Sequence, residues 1–184
     1  MPEPVVIVDY DPDWPARYAR LRDAIAPALG DLAAAIEHVG STAVPGLAAK
    51  PTIDIIVKLR SPSDLARAVE RLAGLGYAHE GDLGVAGREA FATPAGYAVH
   101  DHHLYVCTPD WRGFEDQVIF RDHLRAHAAT ARAYGDAVTL VQARRRYKRR
   151  RGMVISLRER RWDAPPSSPW PCERGARRSD GRRR

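Results

Sequence analysis

The run T-I-D-I-I-V-K-L, residues 52–59, does most to limit how this chain folds. It is nearly all apolar, and a strand of that kind suits the middle of a sheet covered on both faces. One acid, Asp54, sits inside it, and an ionised carboxylate among isoleucines is costly without a partner. Two readings follow for Asp54: neutralisation by Lys50 or by an arginine from another strand, or service as a metal ligand or base. A second strand candidate, residues 34–39, leads into a Gly40-Ser41 turn, whose backbone N–H groups and hydroxyl suit an anion. Pro45-Gly46 and Lys50 follow, which favours an anion-binding loop with Lys50 as a point charge on phosphate.

Cover for such a sheet is legible on both sides of this stretch. Residues 5–9 form a short strand candidate. Asp13 is placed to cap a helix with Pro15 in its first turn, Leu21, Ile25, Ala28 and Leu32 at helical spacing, and Gly30 as its stop. Ser61 and Ser63 open a second helix that closes on Gly74 and Gly76, with Leu65, Val69 and Leu72 in one stripe. Residues 77–108 are strand-like, with strands predicted near 89–93 and 98–107 and glycine turns around them. Asp110 is placed to cap a third helix, in which Phe114/Val118 and Phe120/Leu124 are apolar pairs. A fourth helix is predicted from about residue 128 to the start of the arginine run. The expected class is α+β, one mixed sheet of four or five strands flanked by helices.

Charge divides the chain. Residues 144–184 hold 16 of the 29 lysines and arginines but 4 of the 23 acids, so the body before them is mildly acidic. The overall basic balance therefore says nothing about nucleic acid at the folded part; contact is expected only non-specifically, through the tail. The expected division is a folded domain over 1–150 and a basic, disordered or diverged tail over 151–184, which lacks an apolar period. No stretch is apolar and long enough for a membrane span, and no basic region precedes an apolar one near the N-terminus. Two distant cysteines, Cys107 and Cys172, make no disulfide framework, so a reducing cytoplasm is expected, with Cys107 a small core residue.

The blocks EHVGSTAVPGLAAKPTIDIIV, HHLYV and FRDHLRAH, with YDPDWPARY near the start, together resemble the GrpB family over residues 5 to 142. That family also occurs as an extra domain behind some bacterial dephospho-CoA kinases. It is similar in fold to the nucleotidyltransferase superfamily, and the resemblance therefore implies a nucleotidyltransferase-like sheet. In that superfamily a Gly-Ser turn cradles a nucleoside triphosphate, a strand carries two acids spaced D-x-D, and a neighbouring strand carries a third. Acids at i and i+2 of a strand share a face and can share two Mg²⁺ ions. Here Gly40-Ser41 and Asp54 match, the i+2 residue is Ile56, and the neighbouring strand offers His102 and His103. Imidazole suits Zn²⁺ or Mn²⁺ better than Mg²⁺.

One of His102 and His103 is expected near Asp54 across adjacent strands; hydrogen-bonded structural histidines are the other reading of H-D-H-H. Arg88, ahead of a strand, reads as a surface arginine or a phosphate contact. Glu37 and His38 are placed to line the same pocket, and Arg121 to make a structural ion pair with the sheet. The combined expectation is a protein that binds a nucleotide or phosphorylated small molecule through Gly40, Ser41, Lys50, Arg88, His102 and His103. Asp54, His102 and His103 are the candidate ligands of a divalent ion (Mg²⁺, Mn²⁺ or Zn²⁺), and Asp54 is the candidate catalytic residue of nucleotidyl or phosphoryl transfer. The alternative is a catalytically silent accessory domain that recognises a ligand or protein, since the carboxylate set is incomplete at Ile56.

Overall fold

The computed structural model describes residues 6–94 and 101–150, with side-chain surroundings as far as residue 141. The apolar run forms strand β2 (Ile53–Leu59), and it is an interior strand. β1 (Ala33–Val39) flanks it antiparallel and β5 (His102–Cys107) parallel. β4 (Arg88–Ala92) and β3 (Ala78–Gly81) complete a five-stranded mixed sheet of order β1-β2-β5-β4-β3. Helices α1 (Trp14–Leu29), α2 (Leu65–Ala73), α3 (Gly113–Ala126) and α4 (Ala128–Arg150) accompany it.

Strand alternation sends side chains to two unlike faces. On one, Ile53, Ile55, Val57, Leu59, Leu104 and Val106 meet Leu21, Ile25 and Leu29 of α1 and Ala68 and Leu72 of α2, forming the main core. On the other, Val39, Ile56 and Cys107 are sealed by Phe114 of α3, with Trp111 and Val118 against them. Cys107 is buried there, and burial pushes its thiol up to about 12. Asp54 shares this second face, nearer the start of β2, where its side chain keeps 31% of its exposure.

Several local expectations change. The strand expected at 5–9 reduces to one bridge, Val8 to Ala49, and Val6 and Val8 stay exposed. Asp13 caps no helix N–H; its carboxylate pairs with Arg17. β3 lies in the strand-like stretch 77–108 but ahead of the two strands expected there; A-H-E-G has no apolar alternation, and pairing with β4 defines it. α3 starts at Gly113, past Asp110; the Trp111 ring lies against Gly113, where a Cβ would come within 2.3 Å of it. Leu124 is buried with Val44 and Leu47, whereas Phe120 stays half-exposed, edge-on to Tyr134. α4 runs on through the arginines to Arg150, and Arg and Lys are good helix formers. Val5, the 98–100 start of the strand expected at 98–107, and the 151–184 tail lie outside the described residues.

Candidate functional site

The Gly40-Ser41 turn is built by a backbone only glycine tolerates and by two threonines. Gly40 has φ +75° and ψ −175°, and a Cβ there would lie 2.3 Å from Oδ2 of Asp54. The missing side chain is therefore what lets the turn pass against the strand carboxylate. Residues Ser41–Ala43 then wind into a single 3₁₀ turn, closed by Ala43 N–H on the Gly40 carbonyl. Thr42 Oγ1 donates to the Thr52 carbonyl at 3.2 Å and, its one proton spent, accepts from His38 Nε2 at 3.0 Å. These bonds fasten the turn to the head of β2. Neither threonine carried a signal in the sequence, because each acts only once the loop has closed.

A pocket of about 100 Å³ opens here, lined by Ser41, Thr42, Lys50, Thr52, Asp54 and His103, with Ala49. Cavities that enclose a whole drug-sized ligand run to roughly 300–1,000 Å³, so this one suits one end of a molecule, of phosphate size. Asp101 supports its rim: its carboxylate accepts from Thr52 Oγ1 at 3.1 Å and lies 4.0 Å from Lys50 Nζ.

Asp54 finds its partner across the parallel ladder. It is in register with His103, whose Nδ1 meets Asp54 Oδ1 at 2.8 Å. Among the described residues, no lysine or arginine forms an ion pair with it. The bond to Asp54 holds the His103 imidazole above its ordinary pKa, against the opposing pull of partial burial. With Nδ1 committed to the carboxylate, Nε2 is the nitrogen left for a ligand.

His102 does not join this site. Adjacent strand residues point to opposite faces, so it lies in the main core, 2% exposed, with Nε2 2.7 Å from the Tyr77 hydroxyl. His38 also faces away from Asp54: it is buried, stacks on Tyr18 at 4.7 Å, and touches the pocket only through Thr42. Burial first, then the Arg125 charge, pushes its pKa down to about 4. Glu37 is drawn off by Arg121, at 2.6 Å, and the same guanidinium donates to the His38 carbonyl and to Asp122. Arg121 is thus the expected ion pair between helix and sheet. Arg88 lies on β4, two strands from β2, with its guanidinium carbon 4.4 Å from the centre of the Tyr105 ring, outside the pocket lining.

The donor set does not fit a two-metal centre. Ile56, where a second acid would stand, is fully buried against Phe114, and His102 points to the opposite face. Asp54 and His103 bond to each other, and among the described residues no three His, Cys, Asp or Glu side chains are disposed to hold a metal ion.

A Gly-Ser turn against a strand carboxylate, on a mixed sheet of this order, defines a nucleotidyltransferase-like fold. The Cid1 poly(U) polymerase shares it, with a TM-score of 0.50 over 66% of this chain and 40% of that one, at 11% identity, a likeness of fold alone. The chain belongs to the GrpB family: the family model described as GrpB protein matches residues 4–158. The GrpB protein of Enterococcus faecalis superposes with a TM-score of 0.66 at 28% identity, over 75% of this chain and 84% of that one. UPF0157 protein YqkA of Bacillus subtilis is 32% identical over 130 residues, 71% of this chain but only 37% of that protein. A dephospho-CoA kinase of Mycolicibacterium paratuberculosis is 42% identical over 77 residues, 40% of this chain and 19% of the kinase. Among the described residues no helix is long and apolar enough to cross a membrane.

Proposed function

We propose that this chain binds the phosphate end of a nucleotide or of another phosphorylated small molecule in the pocket beneath the Gly40-Ser41 turn. The observation that carries the reading is the convergence of Ser41, Lys50, Asp54 and His103 on one phosphate-sized hollow. The Ser41 hydroxyl and the turn's N–H groups receive oxygens, and Lys50 supplies charge. The His103 hydrogen bond offsets part of the negative charge of Asp54 and leaves Nε2 for the ligand. Nucleotidyl or phosphoryl transfer with Asp54 on a divalent ion is the more demanding form of this reading. It needs more hard oxygen ligands than Asp54 alone supplies.

Burial of Ile56 favours a second reading, a catalytically silent accessory domain. The likeness to part of a dephospho-CoA kinase is compatible with it. Thermal shifts with inorganic phosphate and a panel of nucleotides and CoA precursors, with and without Mg²⁺, Mn²⁺ or Zn²⁺, separate the readings. Stabilisation by phosphorylated compounds that weakens in Lys50→Ala supports binding. A shift that also needs metal and vanishes in Asp54→Asn supports transfer. A flat panel on folded protein overturns both and leaves the accessory domain.

A further inference from the structure

Arg88 is a half-buried cation that lies over the Tyr105 ring. Its Nε is buried without a hydrogen-bond partner, and among the described residues no carboxylate lies within ion-pair distance of its guanidinium. A buried charge left in that state is costly, while the Tyr105 face beneath it returns only part of that cost. A guanidinium carries its N–H groups in a planar fork that meets an oxyanion with two parallel bonds, and contact of its Cζ with a ring does not use that fork.

Arg88 also shares the face of the sheet that carries the pocket. Tyr105 is paired with Ile56, one strand from Asp54, and its ring is 6.2 Å from that of His103. Asp54, Arg88 and the Glu80 carboxylate all act electrostatically on the Tyr105 hydroxyl, whose pKa burial raises first. The chain of groups Asp54, His103, Tyr105, Arg88 thus crosses β2, β5 and β4, two strand spacings or about 10 Å. Arg88 pairs with Cys107, four residues or about 13 Å along β5 from His103, so the two ends are about 16 Å apart at the backbone.

From this arrangement we propose that Arg88, lying over Tyr105, is a second anion subsite, and that the natural ligand carries two anionic groups roughly 10–16 Å apart. This rests on the phosphate pocket proposed above and adds the class of ligand. One anion enters the Ser41–Lys50 hollow. The other closes on the edge of Arg88, with the connecting segment lying across Tyr105.

Calorimetric titration of the full chain with inorganic phosphate, phenyl phosphate and α,ω-alkanediol bisphosphates of two to ten carbons tests it. Wild-type affinity is expected to peak at the bisphosphate whose span matches the subsites, on the order of tenfold above phosphate. Arg88→Gln is expected to erase the peak and leave phosphate binding unchanged; Arg88→Lys, which keeps charge but loses the fork, retains part of it. Melting of the unliganded variants checks that each is folded, and Tyr105→Leu removes the platform independently. No length dependence, a peak that survives Arg88→Gln, or an equal gain from phenyl phosphate would overturn the second subsite while phosphate binding stands. Failure of phosphate itself to bind defeats the pocket, and the subsite with it.

Discussion

Gly40 and Asp54 occupy the same small volume: the turn can cross the strand because the glycine has no Cβ to meet Oδ2, 2.3 Å from where that atom would be. Gly40→Ala is therefore expected to cost about 2–3 kcal/mol, from a backbone conformation that alanine resists and from displacement of the carboxylate. Urea denaturation measures the loss. The His103 resonances should shift in the same variant, since Asp54 cannot keep its bond while moving aside.

The Asp54–His103 pair sets a pH dependence of definite sign. The folded His103 pKa is raised by the carboxylate, so protonated His103 favours the folded state. That contribution is complete below the ordinary imidazole value and fades as pH rises through the raised one. Asp54→Asn should bring the His103 titration, followed by NMR of the imidazole, down toward the ordinary range. An unchanged titration would contradict the pairing.

His38 predicts the opposite slope. Its folded pKa of about 4 lies below the ordinary value, so the unfolded chain takes up its proton first as pH falls. Stability should decline between roughly pH 6.5 and 4, by on the order of 2–3 kcal/mol, and level off below. Denaturation curves across that range should flatten in a folded His38→Gln variant. The same substitution loosens Thr42 and so weakens the turn's attachment to β2.

Restoring the second strand acid is expected to fail. Ile56→Asp would put a carboxylate at a fully buried position among Val39, Cys107 and Phe114. The cost is at least about 3 kcal/mol. Loss of cooperative unfolding or of soluble protein is the expected readout; a stable variant that gains metal binding would show that the second face has room for a metal centre after all.

The residues of the site divide by how far their roles extend along the chain. Strand alternation and apolar content, which neighbours in sequence set, placed β2 inside a sheet and sent His102 and His103 to opposite faces. Turn chemistry marked Gly40-Ser41 for the same local reason. β3 has no pattern of its own within the strand-like stretch 77–108, because its ladder to β4 makes it a strand. Which histidine would meet Asp54 depended on the register of two strands about fifty residues apart, and Ile56 became core because α3 folded back over it. The partner of Arg121 and the isolation of Arg88 over Tyr105 were likewise settled by packing between distant segments. Local pattern fixes which way a side chain points; only the assembled sheet and helices fix what it finds there, because that neighbour comes from elsewhere in the chain.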